Sequence, residues 1–525
     1  MSSKHPFIVA GFVLAILLSS CATAAPTAAA YPTYDAFVQA NGAPMGATGP
    51  SSEPAQQHSG PTPTLGALSV IMPVRPENAP LVTPTPDAAR SLPMPRQMES
   101  EYTVQPGDTL GAIAQAFGVS VGALLDANGL AEGEILALGT TLSVPPPELG
   151  EQGPSFKVIP DSELVYGPAA ADFDIDAYVA SQGGYLATYT EEIDTRVFSG
   201  AEIIGLVSRN YSVNPRVLLA ILEYQSGWVT QSSPARSHPD FPLGFVHPNR
   251  TGLYRQLAWA ASELNRGFYT WRAGAESTWV LNDGAVVPID PTINAGTAAV
   301  QKFFSILDDR ATWEQDATVF GLFQTYFFMF GNPFDMAIEP LVPAGLSQPT
   351  LGLPFEPGVP WAFTGGPHSA WDSGSAWGAL DFAPPDVLGC ALSQEWIAAA
   401  ADGFVVRSSN GAVIQDLDGD GYEQTGWSIL YMHVFEQDRS EPGTYLYAGD
   451  RIGHPSCEGG ISSASHLHLA RKYNGEWIPA DTDHPFILGG WVSAGDGIEY
   501  DGFLQLGTRR LEAAEGASDL NIITR

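Results

Sequence analysis

The chain has 525 residues, enough for roughly two to four domains, because single hydrophobic cores rarely grow past about 250 to 300 residues. With 57 Asp and Glu against 23 Lys and Arg, its net charge of −34 excludes nucleic acid and anionic polymers as electrostatically held partners. A surface ligand therefore has to be recognised through neutral groups. Residues 1–21 read as an export signal: Lys4 precedes the apolar run Phe7 to Leu18, too short to span a bilayer as a mature helix, and small residues follow.

Leu18-Ser19-Ser20-Cys21 resembles the bacterial lipobox, which implies acylation of Cys21 and a membrane contact made only through a lipid anchor. Ordinary cleavage after Ala22-Thr23-Ala24, giving an extracellular product, is the alternative. Residues 22–99 are rich in Pro, Thr, Ala and Ser without sustained periodicity, so a disordered tether is expected there.

Residues 100–147 carry a short β run at Tyr102 to Val104, then a turn through Pro106, Gly107, Asp108 and Thr109 that caps a helix. That helix sets Leu110, Ile113, Ala114 and Phe117 on one face. A second helix with Val121, Leu124 and Leu125 stops at Asn128-Gly129, and Leu138-Gly139-Thr140 leads into a strand over Thr141 to Val144. This βααβ unit closely resembles a LysM domain. The resemblance implies binding of N-acetylglucosamine-containing glycan in a groove formed by Gly107, Asp108, Thr109, Leu110, Leu138 and Gly139.

Residues 155–345 read as an all-α domain. Ser199 starts one helix through Ile203, Ile204, Leu206 and Val207, and Asn214-Pro215 starts another through Val217, Leu218, Ile221 and Leu222. The phrase from Asn210 to Trp228 faintly resembles the lysozyme-like transglycosylases, whose helix ends in Glu-Ser-Gly. Here Gln225 stands where that Glu would be, and an amide cannot serve as a general acid. The domain thus reads as non-hydrolytic, with a muramidase using Glu223 as the rival reading.

Residues 350–525 alternate like a mostly antiparallel β protein and contain six of the ten histidines. Four phrases stand out: "GGPHSAW" with His368, "GALDFAPP" with Asp381, "SILYMHV" with His433 and "SSASHLHLARKY" with His466 and His468. In a strand the last two share a face, about 6.5 to 7 Å apart, with Leu467 and Leu469 on the other. Together the phrases resemble the M23 (LytM, lysostaphin-type) zinc endopeptidases. The commoner family form has His four positions before the Asp, and Trp377 occupies that place; the longer interval from His368 to Asp381 is similar to the β-lytic subgroup. The resemblance implies Zn²⁺ on His368, Asp381 and His468, with His433 and His466 as unligated catalytic residues. His466 is expected as base and His433 as oxyanion stabiliser, though the two roles are interchangeable at this level. Zinc suits imidazole nitrogen and carboxylate oxygen, and three protein ligands leave one position open.

His454 and His484 have no counterpart in these motifs and read as surface or structural residues. Asp416, Asp418 and Asp420 are spaced as in a calcium loop, but Trp427 stands where a bidentate Glu is needed, so a hairpin tip is expected. Cys390 and Cys457 form an even pair in a chain read as exported, where disulfides persist, so a bridge is expected. The whole is a multidomain α+β chain, read as an envelope zinc metalloendopeptidase. It would cut peptide cross-links of peptidoglycan while LysM holds the glycan. The alternative is a non-catalytic peptidoglycan-binding scaffold or activator of other wall hydrolases.

Overall fold

Thr109 and Ser120 each begin a helix by accepting a backbone N–H in their own first turn, Ala112 N at 3.1 Å and Ala123 N at 3.0 Å. In a computed structural model of the chain, which describes residues 63–66, 86–106, 108–131, 133–234 and 239–525, these caps open α1 (Leu110–Ala116) and α2 (Val121–Asn128). Gly129, at φ 63°, takes the left-handed position that ends α2. Strands β1 (Ser100–Thr103) and β2 (Thr141–Val144) pair antiparallel, and Val104, Ile113, Ala114, Val119, Leu124, Leu142 and Val144 form a small core. In α2 Leu124 is fully buried and Val121 is exposed. The export signal and Cys21 lie outside the described residues, as does Gly107. Of the expected tether, residues 86–99 lie against the folded domains. Arg90 donates to Trp271 O at 2.7 Å, and Arg96 donates to Val144 O and Pro145 O, so these two guanidiniums pin that stretch.

The next region is built from α3 (Asp161–Leu164), α4 (Ile175–Gln182), α5 (Gly200–Tyr211), α6 (Pro215–Ser226), α7 (Leu253–Ala273), α8 (Ala295–Leu307), α9 (Arg310–Asp316) and α10 (Leu322–Phe330). Ser199 and Glu202 form a capping box at α5, and Asn214 caps α6 with Pro215 at its first position. The region is not all-α. Strands β3 (Thr190–Ile193) and β4 (Arg196–Ser199) form one hairpin, and β5 (Thr278–Val280) and β6 (Val286–Pro288) form another. Asn282-Asp283-Gly284, with Gly284 at φ 84°, makes the turn of the second between β-branched flanks, a hairpin signal overridden by the helical expectation.

The carboxy-terminal region contains β7 (Trp361–His368), β8 (Ala379–Ala383), β9 (Ile397–Ala398), β10 (Gly403–Ser409), β11 (Ala412–Asp416), β12 (Trp427–Met432), β13 (Tyr445–Leu446), β14 (Arg451–Gly453), β15 (Leu467–Tyr473) and β16 (Glu476–Trp477). It ends with β17 (Ile487–Leu488), β18 (Trp491–Ala494), β19 (Phe503–Leu506), β20 (Arg509–Glu512) and β21 (Ile522–Ile523). The main sheet runs β13-β10-β11-β12-β15-β8-β7-β21, with β16 beside β15, and its named pairings are antiparallel. A disulfide joins Cys390 to Cys457 across a separation of 67 residues, which loop-closure entropy values at about 4 kcal/mol.

Period-two alternation gives each face of this sheet its own core. Val413, Ile429, Tyr431, Leu467 and Leu469 pack with Phe363, Leu380 and Phe382 on one side. On the other, Ala412, Ile414, Leu430, Met432 and Ala470 belong to one continuous core with the helical region. Helices α5 and α7 help make that junction: Tyr211 donates to Asp372 at 3.1 Å, Trp477 N donates to Tyr269 at 3.0 Å, and Arg272 pairs with Glu476 at 3.0 Å. At Gly374 a Cβ would lie 1.9 Å from Ser262 O of α7, so the close approach there requires glycine.

Candidate metal centre

Strand pairing brings the expected ligands together. His468 on β15 is the direct cross-strand partner of Asp381 on β8, so the two side chains share a face. His368 ends β7, where irregular register between Gly365 and His368 turns its ring toward the same point. His368 Nε2 lies 3.0 Å from His468 Nδ1, and each nitrogen is 3.3 Å from Asp381 Oδ1. His368 and Asp381 are buried and His468 is nearly so, and their donor atoms form one close cluster.

Backbone carbonyls determine which ring nitrogens carry protons, because a carbonyl can only accept. His368 Nδ1 donates to Gly366 O at 2.8 Å, and His468 Nε2 donates to Ala370 O at 3.0 Å. The other nitrogen of each neutral ring therefore turns a lone pair inward. Asp381 Oδ1, also buried, has no hydrogen-bond donor. Three acceptor atoms thus converge with no proton between them, an arrangement that is repulsive until a cation joins it. Their spacing matches the edge of a zinc tetrahedron, about 3.3 to 3.4 Å for bonds of about 2.0 to 2.1 Å. The residues fit Zn²⁺ in donor type, in spacing and in the carbonyls that orient them.

His433 and His466 sit at one side of this triangle. Their ring centroids are 4.4 Å apart, and His466 Nε2 is 3.7 Å from Asp381 Oδ1. His433 Nδ1 donates to Glu458 O at 2.7 Å and His466 Nδ1 to Ala464 O at 2.8 Å, leaving both Nε2 atoms as proton acceptors. Burial, joined by neighbouring His466 and His468, holds the His433 pKa well below the ordinary imidazole value. Burial likewise lowers His468, whereas at His368 it is outweighed by the Asp381 carboxylate and the pKa rises. Burial alone would raise Asp381, but the imidazoles of His368 and His466 override it and hold the carboxyl well below its usual range.

Tyr500 was not among the expected residues. Its ring stacks on His368 at 4.2 Å and 19°, and its backbone pairs with Gly366 and Pro367. No motif surrounds it in "GIEYDGF", so only its place in the fold reveals it. Glu223 accepts from Val229 N, Thr230 N and Thr230 Oγ1, which locks the chain leaving α6. His454 bonds to Glu395 O and packs on Trp396, in keeping with a structural role. Asp416, Asp418 and Asp420 cluster between β11 and β12. Asp416 accepts from the amides of Asp418 and Gly421, and Asp420 from that of Tyr422, as turn-forming residues do.

In the βααβ unit, Val104 and Gly139–Thr140 exchange backbone hydrogen bonds, so the two expected groove loops abut. Asp108 accepts from Tyr102 OH and Gln105 N, Thr109 caps α1, and Leu110 packs on the core. Leu138 is exposed, and Gly139 takes φ 78°.

Residues 102–145 match the model of the LysM domain, and residues 157–342 match that of the LasA N-terminal domain. Protease LasA of Pseudomonas aeruginosa (strain UCBPP-PA14) is 26% identical over 346 residues, spanning 61% of this chain and 74% of that protein. Among solved structures, the M23 metalloprotease pseudoalterin, described as from the deep sea, is 23% identical with a TM-score of 0.28 and aligns over 34% of this chain and 100% of its own. A zinc-containing peptidase from Vibrio cholerae is 15% identical with a TM-score of 0.20, over 26% of this chain and 41% of its own. The chain is thus similar to protease LasA over 61% of its length, with a match to the LysM domain model preceding its match to the LasA N-terminal domain model.

Proposed function

We propose that this protein is an exported zinc metalloendopeptidase of the cell envelope that hydrolyses amide bonds in the peptide cross-links of peptidoglycan. The observation that carries the reading is the proton-free convergence of His368 Nε2, Asp381 Oδ1 and His468 Nδ1 beside two further imidazoles. A zinc ion bound there would supply Lewis acidity, making water acidic near neutral pH and polarising a carbonyl. His466 accepts the proton of the attacking water at Nε2, which faces the triad while Ala464 O holds Nδ1. His433 is kept neutral by its surroundings; the proton it donates from Nε2 to the leaving amine is the one His466 took from the water, passed between the adjacent rings, so none is gained or lost.

The LysM domain supports peptidoglycan as substrate, because holding the glycan raises the local concentration of attached peptides. Acylation of Cys21 would keep the enzyme at the membrane, and mass spectrometry of the mature N-terminus distinguishes that form from a released one. The function is tested by incubating the full chain with purified sacculi, with and without chelator. New amino termini in the released fragments, abolished by chelation and restored by zinc, are expected; intact sacculi with the zinc-loaded protein refute the reading.

A further inference from the structure

We infer, on the basis of that reading, that Ser456 is a positioning residue that sets the spacing of the unligated imidazoles His433 and His466. Strands β12 and β15 pair as far as Met432 opposite His468, and the same register carried onward would set Val434 opposite His466. Instead Val434 pairs with Pro455 and Ser456 pairs with His466, so a two-residue wedge separates the strands where the histidines stand.

His433 occupies the mouth of this opening at φ 67°, a left-handed conformation that a non-glycine residue keeps only when its surroundings impose it. Ser456 imposes it twice over. Its N–H donates to His433 O at 2.7 Å and its Oγ donates to the same oxygen at 2.9 Å. The hydroxyl also accepts from Glu458 N at 3.0 Å, and it is Glu458 O that holds His433 Nδ1. Backbone and ring of His433 are thus tied to one short segment. Ser456 O in turn accepts from His466 N at 3.3 Å, and the adjoining Cys457 anchors the segment through its bridge to Cys390. The serine is buried, so solvent cannot substitute for its hydroxyl.

Ser456→Ala keeps the backbone wedge and removes the hydroxyl; Ser456→Thr keeps both. On dye-labelled sacculi, the alanine variant of the full chain should lose roughly 10- to 100-fold in maximal rate, the scale of effect produced by small misplacement of a reacting group. Half-saturating sacculus concentration, zinc content and melting temperature should stay at wild-type values, and the threonine variant should recover within about threefold. Wild-type rate in Ser456→Ala, loss of zinc or melting temperature alongside rate, or failure of threonine to rescue would each overturn the assignment. Proton NMR provides a readout independent of turnover: the His433 Nδ1–H, assigned by its absence in His433→Gln, should exchange with solvent at least about tenfold faster in Ser456→Ala. If wild-type protein leaves sacculi intact, the enzymatic reading fails while this exchange rate still decides the role of Ser456.

Discussion

Glu476 lies where β16 meets the helical region, and its titration should make that junction weaken as pH rises. Burial is the largest influence on this carboxyl; Arg272 at 3.0 Å opposes it, nearby Asp161 reinforces it, and the pKa is pushed up to about 7 from 4.5. Arg272 retains substantial exposure, so solvent screening blunts its help. For an acid with a raised folded pKa, the native state holds the proton more tightly than the unfolded chain. The associated stability is fully present below about pH 4.5 and is lost as pH climbs through 7. At about 1.4 kcal/mol per pKa unit the total reaches roughly 3 kcal/mol, of which about 2 kcal/mol falls between pH 5 and pH 8. Glu476→Gln keeps an acceptor for Arg272 but does not titrate. Urea unfolding of wild type and variant at pH 5, 6, 7 and 8 cancels the titrations they share. The variant should gain about 2 kcal/mol on wild type across that range. A difference that stays flat with pH, or grows in the opposite direction, refutes burial as the dominant influence.

His368→Ala should lose zinc by elemental analysis together with activity, whereas His433→Ala should keep zinc and lose turnover by about 10²- to 10⁴-fold; full activity in either contradicts the roles proposed. Gly374→Ala would put a Cβ 1.9 Å from Ser262 O, so the stretch between His368 and Asp381 must shift, at about 1 to 3 kcal/mol by chemical denaturation. An unchanged unfolding midpoint would rule out the close packing at that point. Thiol titration of the non-reduced, denatured chain should find Cys390 and Cys457 unreactive, and replacing both by serine should cost about 4 kcal/mol.

The parts legible in sequence were those governed by local chemistry. Thr109, Ser199 and Asn214 all cap the helices their positions announce. The alternation around His468 correctly put Leu467 and Leu469 in a core on the face opposite the triad. The triad was legible because four phrases match a family pattern, although Trp377 broke the commoner form of it. Tyr500 and Ser456 were not legible: one reaches His368 from a distant loop and the other acts mainly through a backbone carbonyl, and neither interaction leaves a pattern in neighbouring residues. The β5–β6 hairpin had a readable Asn-Asp-Gly turn that helical expectation hid. The run "SILYM" was a further unread signal. An uninterrupted apolar strand has both faces covered, whereas a sheet with one wet face alternates. Buried Ile429 and Tyr431 on one side of β12, with Leu430 and Met432 on the other, obey that rule.

Anyone harvesting the last third of this polypeptide as a compact reagent should weigh what a cut between residues 345 and 350 strips away. Ala412, Ile414, Leu430, Met432, Ala470 and Trp477 would pass together from a dry interior to open water, next to the three donor atoms. The greasy strip so uncovered would become the truncated product's most adhesive surface, and its handling in solution would be governed by that strip rather than by the strong negative charge of the parent chain.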